Sequence, residues 1–235
     1  MVQYYYVAYP IFEELSLNLD QFIQQMKAPK PKKAPELLVS VLALNNDAAL
    51  DAFLLDLLSS AGLTGQRIKR IEMGVAAVKK ARSVVIPVVK KLDVKKIITI
   101  AEHFETNRIK LQRDGFIEGE GEAEFMAAPI SNECYQRILD ENIILREEGL
   151  EHGRDAFISN LKEVVGLSMG FFNYGLLDAV GTGPILKRTV KIAMDASLKL
   201  AYSTYDNVFK QASEEEMLNA MEHFEKMLIM RALVS

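Results

Sequence analysis

Four glutamates alternate with small residues near the middle of the chain: Glu118, Glu120, Glu122 and Glu124, separated by Gly119, Gly121 and Ala123. In an extended segment the side-chain period of two puts all four carboxylates on one face, with successive ones about 7 Å apart. Such a row repels itself unless cations answer it. The chemistry it offers is therefore metal binding, of Ca²⁺ or Mg²⁺, or docking onto a basic partner. The spacing does not follow a calcium-loop pattern, and a solvated acidic loop is the simpler account of it.

The three histidines each follow a glutamate, at Glu102-His103, Glu151-His152 and Glu222-His223, and the tetrapeptide Glu-His-Phe-Glu occurs at both 102–105 and 222–225. A carboxylate-bridged dimetal site in a helix bundle uses Glu-x-x-His, which is absent here. On a helix His103 points about 160° away from Glu105. The repeat reads instead as two amphipathic helices burying Phe104 and Phe224.

Gly181-Thr182-Gly183-Pro184 precedes a helix carrying Lys187 and Arg188. Free N–H groups at a helix start beside cations can hold an anion, but neither a Walker loop nor a dinucleotide fingerprint is present. An interhelical turn explains the same residues. Cys134 is the single cysteine. It has no base near it in sequence and no serine elbow or triad signature accompanies it. These observations name no catalytic residue and no cofactor.

Charge supplies the broadest signal. Residues 27–113 hold 17 basic and 8 acidic residues, whereas 114–178 hold 4 basic and 14 acidic, beneath an overall net charge of −4. Lys79, Lys80, Arg82, Lys90, Lys91, Lys95 and Lys96 concentrate the basic block, and Lys187 and Arg188 extend the set of candidate anion or partner contacts. Nucleic-acid binding calls for aromatics interleaved with the cations, yet none lies between Arg67 and Lys96. Nucleic acid is therefore an unlikely partner. An acidic protein surface, a second copy of the chain or an anionic membrane surface suits the lysines better. Neutralisation by the chain's own acidic block is the plain alternative.

The elements that must position these residues are mostly helical. Val2 to Tyr9 reads as a short strand or arm, and a helix beginning near Pro10 carries Ile11, Leu15, Leu19, Phe22, Ile23 and Met26 on one stripe. The prolines at 29, 31 and 35 mark a linker. The expected organisation is an N-terminal arm or helix over 1–27, a Pro/Lys linker over 28–35 and one helical domain over 36–235. Helices are expected at 36–45, at 47–60 (capped by Asn46 or Asp47), at 66–82 and at 93–112. Residues 84–89 fit strand or helix equally. After a break at 114–129, helices are expected at 132–146, 147–165, 167–180, 185–209 and 214–233. The last has a capping box, Ser213-x-x-Glu216.

The fold class expected is mainly α: a multi-helical bundle of about eight to ten helices with an N-terminal arm and at most a small β element. Val164 to Leu177 is the longest uncharged run, 14 residues, short of the roughly 20 that a membrane span needs. Its Gly166 and Gly170 suit a closely packed helix. The lone cysteine fits a reducing, cytoplasmic setting. The functional expectation is a non-enzymatic interaction or scaffold protein that self-associates through complementary basic and acidic faces. The alternatives are a membrane-surface or lipid-binding protein using the lysine face and residues 164–177, and a helical enzyme or cation binder at 118–124.

Overall fold

The computed structural model describes residues 3–63, 65–81, 89–112, 121–179, 181 and 183–232. Within them lie eight helices and a curled four-stranded antiparallel sheet, so the mainly α expectation holds. The helices are α1 (Glu13–Met26), α2 (Ala34–Ser60), α3 (Gln66–Ala81), α4 (Val94–Asn107), α5 (Asn132–Glu148), α6 (150–179), α7 (Pro184–Phe209) and α8 (Glu214–Lys226). The strands are β1 (Gln3–Pro10), β2 (Arg108–Gln112), β3 (Glu122–Ile130) and β4 (Leu228–Ala232), in the order β2-β3-β1-β4.

The sheet revises the N-terminal arm. β1 is an inner strand, paired with β3 (Tyr9 opposite Met126) and with β4 (Val7 opposite Leu228). Its Val7, Ala8 and Tyr9 are fully buried, Val7 and Tyr9 facing the helices and Ala8 the small cluster of Ile109, Phe125 and Ala127 on the other face. α1 packs on α2 and α4 through Leu15, Leu19 and Phe22, all without exposed surface. Residues 3–26 therefore belong to the core. The proline segment is a tight connection in which Lys33 adopts the left-handed conformation and Pro35 sits in the first turn of α2.

Two expected helices end early. α4 stops at Asn107 and α8 at Lys226, and the residues beyond them become the edge strands β2 and β4. In Arg108-Ile109-Lys110-Leu111-Gln112 the apolar residues alternate, which is a strand's period. Helical and alternating patterns overlap there, and pairing with β3 decides between them. The expected caps operate at the helix starts. Asp93 accepts from the Lys96 N–H (3.0 Å). Ser213 and Glu216 make both bonds of the capping box, at 3.2 and 2.8 Å.

Two expected breaks are absent. α2 runs through 45–47, because Asn45 is buried and its Oδ1 accepts from Tyr9 Oη at 3.0 Å, so a local turn-former is held by a tertiary bond. α6 likewise runs through 165–167. Each of these long helices contains a π-helical segment, Asp51–Asp56 and Phe171–Gly175, and the two converge on Tyr9. Its ring lies 5.8 Å from Phe53 and 5.9 Å from Phe172 in edge-on contacts. Tyr205 Oη donates to the Phe53 carbonyl (2.5 Å), satisfying a group that the widened turn presents. α2 is long and apolar enough, by length and composition, to cross a membrane, and half of its most apolar window is buried in the fold. Residues 84–88 lie outside the described residues, and Val89 is buried in the core.

Candidate functional site

The acidic row is divided by the fold. Glu118 and Glu120 lie outside the described residues, whereas Glu122 and Glu124 sit on β3, opposite Gln112 and Lys110. Glu124 is engaged within the fold. It accepts from Ser16 Oγ (2.6 Å) and from Arg108 (2.5 Å), with the Lys110 ammonium at 3.8 Å. Burial pushes its carboxyl up, but the bonds from Ser16 and Arg108 and the nearby cations outweigh that and hold it below the ordinary glutamate value. Arg108 also binds Asp20 at 2.6 Å, so the group ties α1 to the sheet. Glu124, one of the four candidate cation ligands, is thus engaged by groups of the protein itself. Among the described residues no three His, Cys, Asp or Glu side chains converge as a cation would require.

The histidine repeat behaves as its geometry requires. Phe104 and Phe224 are fully buried. Glu105 pairs with Lys27 at 2.5 Å, and Glu225 accepts from Arg146 and from the buried Asn142. His103 packs on Phe171, ring centres 4.7 Å apart, and burial lowers its basicity. Cys134 is buried beside Arg137 and Glu163. Burial first, then Glu163, pushes its thiol up, the opposite of what an activated nucleophile needs.

Pro10, Asp56, Ser59, Ser60 and His223 line an open cleft of about 320 Å³. Burial and Lys226 push His223 down to about 4, so the imidazole is neutral at pH 7. Ser60 is turned away from acid–base work, since its hydroxyl donates to the Leu57 carbonyl (2.7 Å). Sequence reading could not assemble this cleft. Its residues come from β1, the end of α2 and α8, and no local spacing connects them.

The basic candidates are partly consumed and partly gathered. Lys79 binds Asp51 at 2.8 Å. Lys187 pairs with Asp178. Lys96 Nζ donates to the Gly181 carbonyl (3.0 Å), tying the start of α4 to the turn before α7. Leu92 packs on Leu177 and Val190 at the same junction. The contact brings the lysines at 90–96 and the cations of early α7 to one end of the molecule. Lys90, Lys91, Lys95 and Arg188 are exposed there, and none of them joins an ion pair with the described residues. The Lys80 side chain and Arg82 lie outside the described residues.

The ion pairs also decide whether the acidic block neutralises the basic one. Among the described residues, pairs between 27–113 and 114–178 involve one carboxylate, Glu124, with Arg108 and Lys110. The remaining pairs stay inside a block or use the chain's ends, as in Lys79–Asp51, Arg137–Glu163 and Lys162–Asp206. Among the described residues the two blocks therefore do not neutralise each other through ion pairs beyond those of Glu124. The apolar run 164–177 is turned inward: Val164, Val165, Met169, Phe172, Leu176 and Leu177 are buried, and Leu167 is 42% exposed. Comparison with protein-family models, curated proteins and solved structures finds no match to this chain.

Proposed function

We propose that this protein is a non-enzymatic helical interaction protein that associates with itself through faces of opposite charge. One observation carries the reading: apart from Glu124, no carboxylate of the described acidic block pairs with a cation of the described basic block. Unpaired charges of both signs on one chain favour a contact between the basic end of one copy and an acidic face of another. Such complementarity governs encounter rate and register more than raw affinity. The cleft by His223 offers no activated nucleophile to compete with this reading.

The test is light scattering behind size exclusion at about 20 mM and about 500 mM salt, where the Debye length shrinks from roughly 20 Å to roughly 4 Å. The reading expects oligomers at low salt that dissociate at high salt. A monomer under both conditions overturns it. A membrane reading draws on the exposed Val94 among Lys90, Lys91 and Lys95. Co-sedimentation with phosphatidylserine vesicles by a chain that stays monomeric would favour that reading instead.

A further inference from the structure

We propose that the outward face of α5 docks on the outward face of α7 of a second copy of this chain. The inference rests on the self-association above and names its surfaces. α5 buries Cys134, Ile138, Asn142 and Leu145. On the opposite side Glu133, Gln136, Asp140, Ile143 and Glu147 are all exposed and fall within an arc of about 80°. Ile143 keeps 46% of its surface in solvent. None of the three carboxylates joins an ion pair with the described residues.

α7 carries the counterpart. Arg188, Ile192 and Lys199 are exposed and lie within an arc of about 40°. Ile192 is 60% exposed. Arg188 and Lys199 are likewise unpaired among the described residues. Each face is thus an exposed isoleucine flanked by open charges, acidic on α5 and basic on α7.

The axial spacing matches too. At about 1.5 Å of rise per residue, Glu147 lies about 6 Å from Ile143, and Arg188 about 6 Å from Ile192. Laid antiparallel with the isoleucines in contact, Glu147 meets Arg188 and Lys199 falls between Asp140 and Glu133. Laid parallel, Asp140 meets Arg188 and Lys199 approaches Glu147.

One residue opposes the contact in both directions. Asp195, held by Lys191 at 3.5 Å, comes level with Asp140 in the antiparallel arrangement and with Glu147 in the parallel one. Because α5 meets α7, a joined pair of copies keeps one free face of each kind, and the contact builds rings or open chains. Two helix faces bury less than the roughly 1,200 Å² of a stable interface, so each contact is weak and salt-sensitive.

The experiment is sedimentation velocity on the full-length chain at low salt, with circular dichroism confirming that each variant folds. The wild type is compared with Glu133→Gln/Asp140→Asn/Glu147→Gln, with Arg188→Gln/Lys199→Gln and with Asp195→Asn. Either neutralised variant alone should weaken association about tenfold or more, from two or three lost charge contacts of up to about 1 kcal/mol each. Mixed, the two variants should form a 1:1 dimer that does not grow, because one intact pair of faces remains. Asp195→Asn should tighten association. An α5 variant that assembles like a salt-sensitive wild type overturns the docking surface and leaves self-association standing. A wild type that is monomeric at low salt removes self-association itself.

Discussion

Gly153 marks a close approach of α5 and α6, and replacing it by alanine is a sharp test of the packing. A Cβ built there would lie 2.5 Å from the Leu145 Cα and 2.9 Å from its backbone nitrogen. Those atoms belong to the backbone of α5, which packs along α6, so no side chain can rotate away. The helices must separate by roughly 1 Å to restore an ordinary carbon–carbon contact of about 3.5–4.0 Å. Leu145, Phe157 and Leu161 are fully or almost fully buried, and separation loosens their packing.

Overpacking of this kind costs typically about 1–3 kcal/mol and occasionally more, while alanine regains about 1 kcal/mol of helix propensity. Backbone rather than side chain is the obstacle, so the upper part of the range applies and the net loss is about 2 kcal/mol. For a chain of this size that lowers the melting temperature by about 4–8 °C. Gly170→Ala is the control, because nothing lies within 4 Å of a Cβ there, and it should raise stability by up to about 1 kcal/mol. Denaturant titration of both variants measures the contrast. A Gly153→Ala protein as stable as the wild type would refute the close approach of α5 and α6.

Two further predictions concern buried charge. Arg108→Met removes the cation shared by Asp20 and Glu124 and should cost about 2 kcal/mol in urea melts, below the 3–5 of a fully buried pair because both carboxylates keep some solvent. Glu124 titrates below its unfolded value, so its contribution is present above about pH 4.5 and is lost as pH falls through the folded value. Arg108→Met should reduce that acid sensitivity, leaving the part due to Ser16 and Lys110. His223, pushed down to about 4 by burial and Lys226, acts in the same direction, again losing stability as pH falls. Between about pH 6.5 and 4 the unfolded imidazole binds a proton that the folded one refuses, so stability declines as pH falls through that window, by about 1–2 kcal/mol once solvent screening of the partly exposed ring is allowed for. His223→Gln should flatten it, and an NMR titration placing His223 near 6.5 would contradict the burial.

The helical elements were legible because their apolar residues recur at helical spacing and their caps are local. Asp93, Ser213 and Glu216 need only the next turn of chain to act. The edge strands were not. Residues 108–112 and 228–232 continue a plausible helix until β3 and β1 offer hydrogen bonds from 10 or more and more than 200 residues away. The candidate sites divide in the same way. Gly166 was a reasonable place for close helix approach, and a Cβ there would meet Tyr202 Oη at 2.7 Å. Gly153 gave no signal, because its constraint is the backbone of a different helix.

Charge shows the division most clearly. Composition alone establishes that a basic block precedes an acidic one, because counting needs no coordinates. It cannot say whether the two neutralise each other, since the order of charges along a chain does not set their distances in space. Only the tertiary structure decided that Glu124 is held by Arg108 inside the fold while Glu133, Asp140 and Glu147 face outward with Ile143. The physical reason is that packing spends a helix's apolar face on the core and leaves the rest to solvent. Which carboxylates fall on which side is settled by the rotation of each helix against its neighbours.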